Sequence, residues 1–82
     1  MKNRYLFFKR LFPEYVIIFK KKNNYSSMNW DKRLISFISR QDLNYIIIDN
    51  NNNIEIYSYN ENKYKEYIIR LFLKDLVYFL LK

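Results

Sequence analysis

Glycine, alanine, threonine, histidine and cysteine are all absent from this 82-residue chain, and proline occurs once. Without cysteine there is no disulfide and no thiol nucleophile. Because histidine is missing as well, a structural zinc site or a histidine-activated nucleophile is not expected. A glycine-rich phosphate-binding loop is excluded too. We therefore expect a protein that is not an enzyme and that holds no metal ion or other cofactor.

Six residue types, Lys, Asn, Ile, Phe, Tyr and Leu, occupy 57 of the 82 positions. All six can be encoded by codons made largely of A and T, which indicates an AT-rich gene, as in an organelle, an AT-rich microbe or a virus. The nine tyrosines are therefore weak evidence of function. An apolar fraction of 50% is enough for one small core, so residues 1–82 are expected to form a single basic domain.

The net charge of +7 is concentrated in the first half of the chain. Residues 1–40 contain ten Lys and Arg but only two acids, whereas residues 41–82 contain five Lys and Arg and six acids. A one-sided basic surface attracts anionic partners. We expect no membrane span and no secretory signal, since Lys9 and Arg10 interrupt the N-terminal apolar stretch. An intracellular protein is the expectation that follows.

The first part of the chain predicts one buried strand. Residues 15–19 form a continuous apolar run that stops abruptly at three lysines, which is typical of a strand buried on both faces. Residues 2–11, before the single proline, predict either a short helix or a strand. Residues 23–29 are polar and predict a loop.

A helix is predicted over residues 30–41. Trp30, Leu34 and Phe37 recur at the spacing that places side chains on one face of a helix. Asn29 is of the residue type preferred as an N-cap, so the helix is expected to begin there.

The second half predicts a β-hairpin and a long helix. Residues 45–49 and 54–59 are β-rich and are separated by four asparagines, which tolerate the left-handed backbone of a turn. Residues 61–81 show polar positions at spacings of three and four, with a broad apolar face between them.

Together these elements predict an α+β fold. It would contain a three-stranded mixed sheet, with strands near 15–19, 45–49 and 54–59. Helices near 30–41 and 61–81 would pack on it. The first strand, the first of these helices and the second strand would form a right-handed crossover.

A basic patch is the principal candidate site. Lysines follow the first strand and further cations lie on the polar side of the following helix, so they are expected to converge. The predicted nucleic-acid-binding residues are Lys20, Lys21, Lys22, Tyr25, Lys32, Arg33 and Arg40. Cations of this kind bind phosphates by releasing counterions, and Tyr25 and Trp30 could stack on unpaired bases. The patch therefore predicts association with RNA or a ribonucleoprotein particle. The alternative is a solvated surface that only keeps the protein soluble.

The rival hypothesis is a protein-interaction module, such as a small viral or phage protein that binds a host factor, or a homodimer. Its contact surface would be an edge strand or the apolar face of the last helix, here Leu71, Phe72, Leu76, Phe79 and Leu80. The alternative reading of this face is an intramolecular core.

Two further segments carry weaker signals. Residues 2–10 combine cations with Tyr5, Leu6, Phe7 and Phe8. This pattern predicts an amphipathic segment for an anionic membrane or a groove in a partner, an arm that enters ribosomal RNA, or an ordinary first helix or edge strand over the core. Asp49 and Glu55 on the hairpin resemble the paired acids of metal-dependent nucleases. The lysine that should follow is replaced by Tyr57, so we do not expect that activity.

Overall fold

The computed structural model describes residues 2–39, 46–49 and 54–82. Within these ranges the chain forms three helices and five strands, which confirms the α+β class and adds two strands to the predicted three. In chain order the elements are α1 (Lys2–Leu11), β1 (Val16–Lys21), β2 (Asn24–Met28), α2 (Asn29–Ser39), β3 (Ile46–Asp49), β4 (Ile54–Asn60), α3 (Glu61–Leu73) and β5 (Tyr78–Leu81).

The five described strands form one mixed sheet in the order β3-β4-β2-β1-β5. Neighbouring strands are antiparallel except for β5, which lies parallel to β1 at one edge. The predicted hairpin is confirmed as β3 and β4, in which Asp49 pairs with Ile54. Residues 40–45 and 50–53, which include the end of the predicted helix and the hairpin turn, lie outside the described residues.

Strand β2 corrects the predicted loop at residues 23–29. The chain turns at Lys22, which adopts a positive φ of 56°, and then returns alongside β1. Tyr25 and Ser27 are buried, and the hydroxyl oxygens of Ser27 and Tyr59 lie 2.7 Å apart. Because a hydrogen-bonded hydroxyl can be buried at little cost, polar residue types here form a core strand.

The predicted helix over residues 61–81 is wrong beyond the end of α3. The N–H of Leu76 donates to the carbonyl of Leu71 at 2.9 Å, and the N–H of Asp75 donates to that of Phe72 at 3.1 Å. This pair of bonds closes a helix in the Schellman motif, and Asp75 supplies the left-handed residue with φ of 57°. The apolar residues that follow form β5 instead of more helix.

The predicted crossover from the first strand is also wrong, because β1 turns back directly into β2. The chain reaches β3 from β2 by way of α2, and β4 lies between those two strands. Asn29, expected as the N-cap of α2, is its first residue. Its side-chain oxygen accepts a hydrogen bond from the N–H of Glu55 at 2.9 Å, which ties the start of α2 to β4.

Both faces of the sheet are covered, and alternation along β1 divides the core in two. Val16 and Ile18 face α2 and α3, whereas Ile17 and Phe19 face α1. The buried residues of the α2–α3 side are Val16, Ile18, Tyr25, Ile35, Tyr57, Tyr59, Tyr67 and Leu71. Those of the α1 side are Tyr5, Ile17, Phe19 and Met28. Among the described residues, no helix combines the length and apolarity that crossing a bilayer requires.

Candidate nucleic-acid interface

The three consecutive lysines of the predicted patch lie at the turn between β1 and β2. Lys20 and Lys21 end β1, and Lys22 opens the turn. Successive side chains on a strand point to opposite faces. Lys20 lies on the α2–α3 side, where its Nζ is 5.6 Å from the centre of the Tyr25 ring. Of the three lysines, Lys21 and Lys22 line one surface groove.

An open groove of about 490 Å³ lies on the part of the sheet that α1 leaves uncovered. We name it the hairpin groove. It is lined by Phe19, Lys21, Lys22, Asn24, Ser26 and Ser58. Ser26 pairs with Ser58 across β2 and β4, and their hydroxyl oxygens are 3.3 Å apart. Two ammonium groups, two hydroxyls and an amide thus offer donors to anionic oxygens.

A further cation lies beside the hairpin groove. The Arg4 guanidinium carbon is 5.7 Å from the centre of the Phe19 ring, which lines the groove, and Nη1 donates to the carbonyl of Lys82 at 3.3 Å. None of the described residues that line the groove is acidic. The charged side chains that line the groove are therefore all positive, and they favour an anionic ligand.

Tyr25, predicted to stack on bases, lies in the core. Only 2% of its surface is exposed, and its ring stacks on that of Tyr64 with 4.1 Å between the ring centres. The ring of Tyr59, its cross-strand neighbour, lies nearly parallel with 6.2 Å between the ring centres. Burial raises the pKa of Tyr59 and of Tyr64, so both remain neutral hydroxyl groups. This tyrosine stack holds β2, β4 and α3 together and leaves no accessible face of Tyr25 for a base.

Lys32 and Arg33 lie close together, because both contact the carboxylate of Glu55. Neither residue lines the hairpin groove. The Lys32 side chain is buried and donates to the Glu55 carboxylate, and Arg33 Nη2 lies 3.5 Å from Glu55 Oε1. The hydrogen bond from Lys32 is the main reason that the pKa of Glu55 lies below its ordinary value. Lys32 is therefore paired in the interior, whereas Arg33 is exposed and shares the same carboxylate, so the three groups together keep one net positive charge.

The registers separate these two groups of cations. Asn24, in the groove, pairs with Asn60 at the end of β4, and Glu55 lies at the opposite end, about 17 Å away at roughly 3.4 Å per residue. The predicted single patch is thus divided, and Arg40 lies outside the described residues. Sequence reasoning missed Asn24, Ser26 and Ser58, whose alternation within strands was the available signal.

The five residues of the predicted apolar face of the last helix do not share one surface. Leu71 is buried, and Leu76 is half-buried against the same core. Phe79 and Leu80 belong to β5 and pack on opposite faces of the sheet. Of the five predicted residues only Phe72 is exposed, at 78%.

A different apolar surface occupies the outer side of α3. We name it the α3 ridge, formed by Ile69, Phe72 and Leu73. These side chains are 59%, 78% and 72% exposed. Trp30, expected either in the core or against bases, is also exposed on α2, at 65%.

Glu55, one of the two acids predicted on the hairpin, already has cationic partners. Glu55 is engaged by Lys32 and Arg33, as described above, and the backbone of Asp49 pairs with Ile54. Among the described residues, no group of three or more acids could hold a metal ion.

No protein-family model matches this chain, and no curated protein matches it.

Proposed function

We propose that this protein is a non-catalytic RNA-binding protein, free or within a ribonucleoprotein particle, and that the hairpin groove holds the phosphate backbone. The observation that carries the proposal is the joint presence of Lys21 and Lys22 with the hydroxyls of Ser26 and Ser58 in one groove without acids. Ammonium groups supply the attraction, and hydroxyls supply short hydrogen bonds to phosphate oxygens.

Affinity at such a site comes from counterion release and carries little sequence information. Lys21, Lys22 and Arg4 could each neutralise a phosphate. For single-stranded RNA the logarithm of the affinity is then expected to fall with the logarithm of salt concentration with a slope of about −2.

The test is a titration of a labelled single-stranded RNA at several salt concentrations. Replacing Lys21→Glu and Lys22→Glu together is expected to weaken binding at least about tenfold and to flatten the salt slope by at least about 1. The matched control is Lys65→Glu with Lys74→Glu, the same charge change at two exposed positions on and after α3. Equal losses in both variants, or binding that ignores salt, would contradict the proposal.

A second candidate function is protein binding through the α3 ridge. Three large apolar side chains lie next to one another on an exposed helix face. Contiguous exposed apolar patches of this kind are typical of protein-contact sites. A depression of about 340 Å³ adjoins the ridge, and Phe72 lines it together with Ile68 and Tyr78.

Size measurement before and after RNase treatment separates the two candidates. Assemblies that persist after RNase and that disappear on replacing Phe72→Ser with Leu73→Ser would support the α3 ridge as a protein contact. Assemblies that RNase removes would instead support the hairpin groove.

A further inference from the structure

Helix α1 presents an apolar side to solvent. Leu6, Phe7 and Leu11 are 50%, 60% and 54% exposed, and Arg10 is exposed among them. Their spacing places all four on the side of the helix that points away from the sheet. We name these four residues the α1 outer face. Packing within the domain does not account for them.

The opposite side of α1 is what attaches the helix to the fold. Tyr5 is buried against Ile17, Phe19 and Met28, and Phe8 packs on the same cluster. The Lys9 ammonium is 2.7 Å from the carboxylate of Asp31 on α2. Changes on the outer face should therefore leave α1 in place.

The charged residues of α1 itself are of one sign. The sequence of α1 contains no acid, and Arg10 forms no ion pair within the described ranges. Lys9, by contrast, directs its three donors inward, to Asp31 and to the carbonyls of Tyr15 at 2.8 Å and Pro13 at 3.2 Å. Arg10 is exposed and accompanies the apolar side chains of the α1 outer face.

The α3 ridge differs in its charges. Helix α3 contains the acids Glu61 and Glu66. Glu66 lies 3.5 Å from both Lys63 and Arg70, so cations beside that ridge have a carboxylate neighbour. A helix that combines exposed apolar side chains with an arginine and contains no acid is complementary to an anionic lipid surface, and a helix that carries acids as well is less so.

We infer that the α1 outer face docks on an anionic bilayer surface, with α1 lying in the plane of the interface. Phe7, Leu6 and Leu11 enter the boundary between headgroups and acyl chains, and the guanidinium of Arg10 contacts lipid phosphates or carboxylates. The hairpin groove shares none of these four residues, so this attachment does not depend on RNA binding.

The experiment is co-sedimentation with vesicles of phosphatidylcholine, with and without phosphatidylserine. Wild-type protein is expected to bind only the anionic vesicles. Replacing Phe7→Ser with Leu11→Ser should reduce partitioning about tenfold, and Arg10→Glu at least about threefold. The matched control, Phe72→Ser with Leu73→Ser on the α3 ridge, should bind as wild type does. Circular dichroism confirms that each variant is folded.

Three outcomes would overturn this inference: equal binding to both kinds of vesicle, an equal loss in the α3 ridge variant, or self-association that the Phe7 and Leu11 variant abolishes while vesicles remain unbound. The last result would make a second copy of the chain the occupant of this face. The same variant is expected to retain RNA binding, so this inference and the proposed function fail separately.

Discussion

Lys9 of α1 and Asp31 of α2 form an ion pair, with 2.7 Å between Nζ and Oδ1, that joins the helical layers on the two sides of the sheet. The second carboxylate oxygen accepts a hydrogen bond from the N–H of Ile17 at 3.0 Å. Ile17 lies beyond the last pair between β1 and β2, which is Phe19 with Ser26. Asp31 therefore accepts the hydrogen bond that a neighbouring strand would otherwise accept. Burial raises the pKa of Asp31, and the hydrogen bonds from Lys9 and Ile17 oppose that effect.

The two partners of this pair are expected to differ in the cost of their removal. The Asp31 side chain is almost fully buried, whereas that of Lys9 is 18% exposed and keeps two carbonyl partners. Lys9→Met leaves a buried carboxylate without its counter-charge and should cost about 3–5 kcal/mol. Asp31→Asn leaves the more accessible ammonium and should cost about 1–3 kcal/mol. Urea unfolding of both variants gives the comparison.

The double variant completes this test. With both charges removed, the loss is expected to be smaller than the sum of the two single losses, because neither group is left buried alone. Additive losses, or a larger loss for Asp31→Asn than for Lys9→Met, would contradict the role assigned to the pair.

Two leucines on α3 provide a test of which side of that helix is the core. Leu71 is completely buried and Leu73 is largely exposed. Leu71→Ala should reduce the free energy of unfolding by about 2–5 kcal/mol, since it leaves a cavity in the core. Leu73→Ala should change it by less than about 0.5 kcal/mol. Similar losses in both, measured by urea unfolding, would place the helix in a different orientation.

The strands that the sequence predicted are those with a single consistent pattern. The apolar run that became β1 is short and stops at three lysines. The two runs that became β3 and β4 flank four asparagines that favour a turn, so local pattern was sufficient to predict all three strands. The polar strand β2 was hidden because its burial depends on partners such as Tyr59 and Tyr64, which are distant in sequence. Strand β5 was hidden because a continuous apolar stretch fits either a helix or a strand.

The candidate site was predictable only where it follows from local position. Lys21 and Lys22 belong to the run of lysines that follows the apolar residues 15–19, so they had to lie near the end of that strand. The neutralisation of Lys32 was not predictable, because Glu55 is 23 residues away and reaches it only through the packing of α2 on β4. Pairing between distant charges is a property of the assembled fold.

A pH dependence is expected from the ion pair between Lys32 and Glu55. The pKa of Glu55 is lowered in the folded protein, so the pair contributes stability at pH values above the ordinary glutamate pKa of about 4.5, and this contribution is lost as pH falls through the lowered value. Glu55→Gln should therefore cost about 1 kcal/mol at neutral pH and progressively less in acid. Thermal midpoints of both proteins across the acid range measure the difference.

The control for this prediction is Glu14→Gln. Glu14 is exposed and forms no ion pair in the part of the chain that the structure describes. Its replacement should leave the midpoint close to that of the wild type at every pH. A Glu55→Gln penalty that stays constant down to low pH would show that the carboxylate acts through packing, without a contribution from its charge.

The turn after α3 provides a prediction of increased stability. Asp75 occupies the left-handed position of the Schellman motif with φ of 57°, where glycine has no steric penalty, and an acid there also meets the negative end of the helix dipole. Asp75→Gly is expected to stabilise the protein by about 0.5–1 kcal/mol and to raise the thermal midpoint by several degrees. Asp75→Ala removes the same charge but keeps a Cβ, so it should gain less than glycine does. If alanine stabilised as much as glycine, the penalty at this position would be electrostatic; if neither stabilised, α3 would not end in the left-handed turn that releases β5 to pair with β1.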